Sequence, residues 1–379
     1  ELRTFPEKRT ESKSSLRRRY YTRWNWELGK YKRKRFQVKA ITEQPCCMKY
    51  DQDNLYLGAF EHIYVLPCDD TYGRFCTTKK QDNTQFIDLA IGESIIVGST
   101  TFTMRVYSKH SMKLLSYFED FRGISSIDYS NTSNKILYNE SSKYGIIDVE
   151  TEEVIRYNAV FDNNKTISKI QFCTEKGDTA VMSSIQSSDV LFYDSRGNDL
   201  KLHLVKHHGP AIADFYYKDK MLVTGGIDGN VRLYDLRWPK DEVSTLWGDK
   251  RVITSMAYAP DHRLITAARD QTLTYWDINN ATVKYVVDTK GPVLAMHMTP
   301  DKLFTLNTTK KITEFNFDVN ISRNWRARRK SYLHMAKFAK DQNDVYRRKR
   351  YNVNNKKNNV PQQRKKQTYS SEFPSLSRK

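Results

Sequence analysis

Residue types that carry out catalysis or bind metals are present in this sequence, but their spacing matches no familiar chemical arrangement. The chain has 379 residues, with 8 His and 5 Cys. No cysteines form a CxxC motif and no histidines are spaced as in HExxH, so the ligand spacing of a zinc site is missing. A Gly-rich phosphate loop and a GxSxG turn are missing as well. We therefore expect no catalytic residues, no metal site and no cofactor.

The cysteines and the short apolar runs indicate where in the cell the protein resides. The five cysteines are Cys46, Cys47, Cys68, Cys76 and Cys173. An odd number in so long a chain does not favour a disulfide framework, which predicts free thiols in the cytoplasm or the nucleus. No run reaches the roughly 18 apolar residues of a membrane span. The start at Glu1, in a polar segment without a signal peptide, predicts a fragment or a processed form.

Positive charge is concentrated at the two ends of the chain. Lys and Arg number 63 against 44 Asp and Glu, a formal charge of +19. Residues 1–35 carry net +9 and residues 321–379 carry net +15, whereas residues 36–320 carry net −5. We therefore expect a basic N-terminal arm (1–35), a mildly acidic body (36–320) and a basic, low-complexity and disordered tail (321–379). Such segments contact nucleic acid, direct nuclear import or are simply solvated.

The body contains a repeat. Aromatic-Asp pairs end three similar segments, and weaker copies occur between residues 66 and 316, at spacings of 39–46 residues. Each period contains several short apolar runs separated by turn signals, as in FIDLAI (86–91) followed by SIIVGS (94–99). A period near 40–45 residues with four short strands is typical of a propeller blade. We predict an all-β fold, a seven-bladed β-propeller, with six and eight blades as the alternatives.

The ends of the repeat region predict how the ring closes. The last unit ends near residues 315–317, with no room for an outermost strand before the basic tail. The run FQVKAI (36–41) precedes the first unit and could supply that strand. Sharing one blade between the two chain ends would remove the free sheet edges.

The residues that mark the blades resemble those of the WD-repeat family. Asp228 and Asp270 lie in polar turns, each followed by a strand that ends in aromatic-Asp, and His208 lies where that family has Gly-His. The resemblance implies a hydrogen-bonded chain of His, Ser or Thr, Asp and Trp that stiffens a blade, so these residues would be structural. The structural set is His208, Asp228, Tyr234, Asp235, Asp270, Trp276 and Asp277.

The N-terminal arm has the spacing of a helix. Leu16, Tyr20, Trp24 and Leu28 recur every four residues, which predicts one apolar stripe, and Gly29 follows as a candidate C-cap. One interpretation is a helix that merely packs against the propeller.

A second interpretation comes from a resemblance. The string Trp24-Asn25-Trp26-x-Leu28-Gly29, a basic linker and then Asp51-x-Asp53-x-Leu-Tyr resemble the segment between the F-box and the propeller in F-box/WD-repeat proteins of the dactylin type. The resemblance implies the substrate-recognition adaptor of an SCF (Skp1–cullin–F-box) E3 ubiquitin ligase. Its partners would be Skp1 and the cullin complex, if an F-box precedes Glu1, together with a substrate protein on the propeller rim.

Blade geometry places several charged residues on one rim: Lys143, Lys165, Asp249, Lys250, Arg251 and Arg269. They are either solvated or bind acidic or phosphorylated segments of a protein partner. The positions entering the inner strands are small or apolar, which argues against a strongly basic phosphate pocket: Ser125, Ser168, Ala213, Thr254 and Leu294.

The tail supports an alternative function, a non-catalytic scaffold in RNA–protein assembly. Aromatic residues alternate with basic clusters after residue 320: Trp325, Tyr332, Phe338, Tyr346, Tyr351 and Tyr369. Base stacking combined with phosphate contacts needs this mixture. Asn, Gln, Ser and Lys dominate residues 352–379, so a solvated arm is the other interpretation.

Overall fold

The computed structural model describes residues 13–36, 44–60, 62–68, 76–77, 84–158, 165–173, 179–194, 196, 199–204, 211–218, 220–237, 244–248, 251–259, 263–309 and 311–319. Within them one helix precedes 28 strands. The arm and the first two blades contain α1 (Lys13–Leu28), β1 (Lys32–Phe36), β2 (Cys47–Asp51), β3 (Asn54–Gly58), β4 (Ile63–Pro67), β5 (Cys76–Thr77), β6 (Asp88–Ile91), β7 (Ile95–Ser99), β8 (Met104–Ser108) and β9 (Leu114–Phe118).

The next two blades contain β10 (Ile127–Ser130), β11 (Lys135–Glu140), β12 (Lys143–Asp148), β13 (Val154–Asn158), β14 (Lys169–Phe172), β15 (Thr179–Ser183), β16 (Val190–Asp194) and β17 (Asp199–Leu204). The last three blades contain β18 (Ile212–Lys218), β19 (Met221–Gly226), β20 (Val231–Asp235), β21 (Ser244–Leu246), β22 (Ile253–Ala259), β23 (Arg263–Ala268), β24 (Thr272–Asp277), β25 (Thr282–Asp288), β26 (Val293–Met298), β27 (Lys302–Asn307) and β28 (Ile312–Asn316).

These strands form seven antiparallel sheets of four strands, which confirms the predicted seven-bladed propeller. Blades 1 to 6 each use four consecutive strands, beginning with β2, β6, β10, β14, β18 and β22. Blade 7 has the order β26–β27–β28–β1, so the two ends of the chain share it. The register runs from Lys32 opposite Asn316 to Phe36 opposite Ile312.

The predicted closing strand was placed too late in the chain. Strand β1 covers Lys32–Phe36, whereas the prediction was 36–41, most of which lies outside the described residues. The KRKR segment can pair because an outermost strand has one free edge and needs few apolar side chains. The Arg33 guanidinium lies 5.1 Å from the centre of the Phe315 ring, so its stem also covers the blade.

Apolar packing joins each blade to the next. Seven clusters of buried residues occur in the described part of the chain, and each lies between two neighbouring blades. At the junction of blades 7 and 1, Leu55 and Leu57 pack with Phe304 and Leu306. Both faces of each blade are therefore covered. This explains why apolar and polar residues do not alternate clearly along the strands.

The recurring aromatic-Asp pair has a local physical cause. Its aromatic member is buried in the third strand, as for Tyr234 at 1% exposed and Trp276 at 3%. The Asp that follows accepts a main-chain N–H from the next turn: Asp235 from Arg237 at 3.0 Å and Asp277 from Asn280 at 3.1 Å. The pair thus ends a strand and starts an Asx-type turn.

Helix α1 packs against blades 6 and 7, but not through the predicted stripe. Tyr20 is 68% exposed and Trp24 is 48% exposed, whereas Trp26 is completely buried. The contact face consists of Thr22, Asn25 and Trp26, with Arg18 paired to Asp318 at its edge. A spacing of four residues identified a helix but not the face that docks, because both faces carry aromatic residues.

The end of α1 is as predicted. Gly29 has φ +63°, a conformation that glycine adopts without strain. The Gly29 N–H bonds the Trp26 carbonyl at 3.3 Å, and the Lys30 N–H bonds the Asn25 carbonyl at 2.8 Å. These bonds close the helix and turn the chain directly into β1.

Candidate protein-binding face and central channel

Two kinds of connection open at one end of the propeller. They are the turns between the second and third strands of each blade, and the loops that lead from one blade into the inner strand of the next. We call this end the loop face. Lys143 follows the β11–β12 turn, and Arg269 lies in the β23–β24 turn. Lys165 and Arg251 precede β14 and β22, whereas Asp249 and Lys250 lie outside the described residues.

The predicted rim residues therefore occupy blades 3, 4 and 6 rather than one compact cluster. Lys143, Arg251 and Arg269 are exposed, and Lys165 is half-buried. Arg251 forms an ion pair with Asp270. It is therefore part of the turn, and Lys143 and Arg269 are the other exposed cations of the predicted set.

The turn carboxylates Asp228 and Asp270 accept hydrogen bonds from residues of their own blades. Asp270 accepts hydrogen bonds from the Thr272 N–H at 3.2 Å and the Thr272 hydroxyl at 2.7 Å. Asp228 accepts from the Asn230 N–H at 3.1 Å and from Arg232 Nη1 at 3.1 Å. Both acidic residues thus satisfy donors of their own turn, which is a structural role.

Part of the hydrogen-bonded chain of side chains expected from the resemblance is present in blade 6. Trp276 Nε1 donates to the Thr266 hydroxyl at 2.9 Å, and this bond is buried. His208, which was expected to extend the chain in blade 5, lies outside the described residues. In blade 6 the turn Asp270 pairs with Arg251, so an arginine supplies the positive partner there.

Most of the apolar part of the loop face was not predicted from the sequence. Phe60, Phe102 and Ile185 lie in turns between second and third strands, and Leu294 lies at the entry to β26. Their exposed fractions are 39%, 60%, 52% and 40%. Leu294 had been noted only as a small or apolar position.

Three of these residues form an arc over consecutive blades. Leu294, Phe60 and Phe102 belong to blades 7, 1 and 2. Exposed large apolar side chains on neighbouring loops are typical of protein-binding surfaces. Phe102 could have been found from sequence, because it stands alone among threonines in a segment with turn character.

Inside the ring lies a channel with a cavity of about 820 Å³, lined by the inner strands. Three aspartates on those strands each accept a main-chain N–H from the next blade. Asp88 accepts from Ile127 at 3.0 Å, Asp128 from Phe172 at 2.8 Å, and Asp214 from Met256 at 2.7 Å. At the junction of blades 4 and 5, Gln171 bonds both the N–H and the carbonyl of Tyr217.

Basic groups in the channel are paired with these carboxylates. Lys49 Nζ lies 3.9 Å from Asp88, and Lys169 pairs with Asp214 while donating to the Phe215 carbonyl at 2.8 Å. The negative charge of Asp88 raises the pKa of Lys49, and burial raises the pKa of Asp128. These charged pairs therefore join neighbouring blades.

A histidine also lies against this channel. Burial, and secondarily the charge of Lys49, lowers the pKa of His297 to about 4. The ring centre lies 5.6 Å from that of Tyr50 in blade 1. His297 is therefore neutral near pH 7 and packs between blades.

The small positions at the inner-strand entries also bridge blades. The Ser125 hydroxyl donates to the Ile167 carbonyl at 3.2 Å, and the Thr254 hydroxyl donates to the Val293 carbonyl at 3.3 Å. Among the described residues, no cluster of His, Cys, Asp or Glu is arranged to hold a metal. A repeated Asp in three of the upstream strands (FIDLAI, ISSIDY, IADFYY) was the sequence signal for the channel carboxylates.

Comparison with known proteins agrees with this architecture. The family model "WD domain, G-beta repeat" matches residues 201–235 and 240–277, which include the inner strands of blades 5 and 6. A solved chain from "Crystal Structure of Mitotic Checkpoint Complex" superposes with a TM-score of 0.64 at 12% identity, covering 75% of this chain and 90% of the other. That likeness concerns the fold alone.

Curated relatives match a shorter stretch. The serine-threonine kinase receptor-associated protein of Gallus gallus is 27% identical over 124 residues, 33% of this chain and 35% of the relative. Pre-mRNA-processing factor 19 of Bos taurus is 26% identical over 136 residues, 35% of this chain and 27% of the relative. The matched segment thus spans between about a quarter and about a third of the length of these proteins.

Fold, repeats and loop face together define the class. The chain is a seven-bladed β-propeller, and two of its segments match the WD40 repeat. None of its described helical structure is both long and apolar enough to cross a bilayer.

Proposed function

We propose that this protein is a non-catalytic adaptor that binds a protein partner on the loop face. The observation that carries the proposal is the exposure of Leu294, Phe60 and Phe102 on three consecutive blades. Large apolar groups in such positions lose contact with water when a partner covers them, and aromatic anchors commonly dominate binding energy.

The charges of the loop face specify the partner further. Lys143 and Arg269 are exposed on blades 3 and 6, which flank the arc on blades 7, 1 and 2. A segment that presents apolar anchors to the arc and acidic or phosphorylated residues to these cations fits both halves of the face.

The adaptor serves, in this proposal, as the substrate-recognition subunit of an SCF-type ubiquitin ligase. Two features support this role. The Trp24–Gly29 string resembles the segment between an F-box and a propeller, and α1 is firmly attached through Trp26 at the end opposite the loop face. A fixed helix would hold an upstream Skp1-binding segment at a constant orientation to a bound substrate.

The test is quantitative affinity purification of the protein expressed from its natural gene. The double variant Phe102→Ser with Lys143→Glu should lose substrate proteins at least about tenfold while retaining Skp1. Leu115→Ser is the matched control, because Leu115 is 58% exposed but lies on the outer strand β9.

Two outcomes separate the parts of the proposal. If wild-type protein recovers no Skp1, the ligase role is wrong, whatever the loop face binds. If the double variant and Leu115→Ser retain the same proteins as wild type, the loop face is not the binding surface.

A further inference from the structure

The outer side of α1, at the end of the propeller opposite the loop face, is aromatic and exposed. Tyr20, Tyr21 and Trp24 are 68%, 58% and 48% exposed. The other side of the helix buries Trp26 and is already occupied by blades 6 and 7. Three large exposed rings on one short helix are typical of a surface that another molecule covers.

The surroundings of these rings are positively charged. Residues 20–35 contain six Lys and Arg and a single acidic residue, Glu27, which is paired with a lysine of blade 6. Arg23, next to Trp24 in the sequence, is exposed, and Lys30 Nζ lies 5.0 Å from the centre of the Trp24 ring. A partner that fits this surface therefore presents acidic groups.

The same end of the propeller carries an acidic surface on blades 2 and 3. The β12–β13 turn of blade 3 contains three exposed acidic residues, Glu150, Glu152 and Glu153. Glu93, exposed in the β6–β7 turn of blade 2, adjoins them, because its N–H bonds the side chain of Asn131 in blade 3 at 2.8 Å. We call these four glutamates the acidic patch.

The acidic patch is compact, and its charge is available. Burial, and secondarily the charges of Glu150 and Glu93, raises the pKa of Tyr129, so both carboxylates lie near that ring. Among the described residues, none of the four glutamates forms an ion pair with a Lys or Arg. The patch therefore offers negative charge to a partner with a basic surface.

Helix α1 and the acidic patch lie on opposite sides of the ring. The helix packs on blades 6 and 7, and blade 3 is three blades away from each of them. Consider two copies that face each other with a twofold axis between them, perpendicular to the line from α1 to blade 3. The helix of each copy then lies against the acidic patch of the other, so both contacts form together in a closed dimer.

We propose that two copies of this protein associate through the ends that carry α1, with the helix of each copy on the acidic patch of the other. The rings of α1 supply apolar contact, and Arg23 and Lys30 face the glutamates. Charge complementarity within one chain is what selects a second copy as the occupant. This surface is separate from the loop face, so the inference does not depend on the proposed adaptor function.

Sedimentation velocity of the full chain, at concentrations from about 1 to about 100 μM, measures the association. We expect a concentration-dependent shift from monomer to dimer that weakens as salt is raised. Arg23→Glu with Lys30→Glu reverses the charge of the helix, and Glu152→Lys with Glu153→Lys reverses the charge of the patch. Each double variant should self-associate about tenfold or more weakly than wild type, because like charges then face each other.

A mixture of the two double variants provides the sharpest test. In a mixed dimer, opposite charges meet at both contacts, so the mixture should dimerise although neither variant does so alone. Glu119→Lys with Asp120→Lys is the matched control, because both residues are exposed between β9 and β10 on the loop face. This control should dimerise like wild type, and the melting temperature of every variant shows whether its fold is intact.

Three results would overturn the proposal. The first is a wild-type protein that stays monomeric at the highest concentration. The second is a double variant of α1 or of the acidic patch that self-associates as tightly as wild type, since another surface would then be responsible. The third is a mixture that stays monomeric although both double variants melt like wild type.

Discussion

The indole of Trp26 stacks on the ring of Phe317, with ring centres 3.4 Å apart and planes inclined by 11°. The same indole donates to the Pro300 carbonyl at 3.0 Å and lies 4.7 Å from the Arg263 guanidinium. One side chain of α1 thus joins the start of the propeller to the end of its last blade. The contact ties residues separated by almost the whole body.

Trp26→Ala should therefore destabilise the protein strongly. Removing a fully buried Trp leaves a cavity between α1 and blades 6 and 7, with an expected loss of about 3–5 kcal/mol in the free energy of unfolding. Trp24→Ala, two residues away and 48% exposed, should cost less than about 1 kcal/mol. Guanidinium titration of both variants gives the comparison, and equal losses would show that α1 is not anchored by Trp26.

Closure of the ring by β1 can be tested by comparing two variants, each with one proline at neighbouring positions of the strand. Along an edge strand, alternate residues direct their N–H toward the neighbouring strand. Of Arg33→Pro and Lys34→Pro, one should remove a hydrogen bond to β28 and cost about 1–3 kcal/mol, while the other should cost much less. The idea fails if thermal unfolding is the same in both variants and in wild type.

The β23–β24 turn gives a third comparison. Asp270→Ala removes the acceptor for Thr272 and the partner of Arg251, so we expect a loss on the order of 1 kcal/mol. Arg269→Ala, at the adjacent exposed position, should cost less than about 0.5 kcal/mol. Asp270→Asn, which keeps one acceptor oxygen, should fall between the two. A titration that finds Asp270→Ala and Arg269→Ala indistinguishable would refute the turn assignment.

His297 predicts a pH dependence of stability. Its pKa is about 4 in the folded protein, below the ordinary value of 6.5, so the folded state favours the neutral ring. The unfolded chain binds a proton first as pH falls, so this contribution is complete above about pH 6.5 and is lost as pH falls toward 4. His297→Gln should lose less stability than wild type between pH 7 and pH 5, before most carboxylates titrate. The measurement is the free energy of unfolding of both proteins as a function of pH. Parallel curves from pH 7 to pH 5 would contradict the prediction.

Much of the fold follows from the sequence because blades repeat. Buried Tyr234 and Trp276 mark the third strand of their blades, and the Asp after each one marks a turn, so the period reports the blade number directly. The face of α1 could not be predicted in this way. Its docking depends on the indole of Trp26 fitting between blades 6 and 7, and four-residue spacing selected Tyr20 and Trp24 instead.

The candidate site was only partly predictable. The exposure of Lys143 and Arg269 could be predicted because charged residues in turns are exposed almost regardless of context. Phe60 and Ile185 were missed because a single apolar residue near a strand end is usually buried, and only the course of the turn shows otherwise. Arg251 was expected to be available to partners, but its pairing with Asp270 depends on how two loops approach each other in space.

Blade 7 is built from both ends of the chain, so it cannot be completed until the last strands have been synthesised. Phe36 emerges early, but its partner Ile312 is made only after six complete blades. At about 5–20 residues per second, β1 waits for tens of seconds before its partner exists. During that interval the nascent chain carries an unpaired strand whose Lys and Arg side chains repel other copies of itself. We therefore expect the charge of β1 to limit its pairing with other nascent chains while the ring is still open.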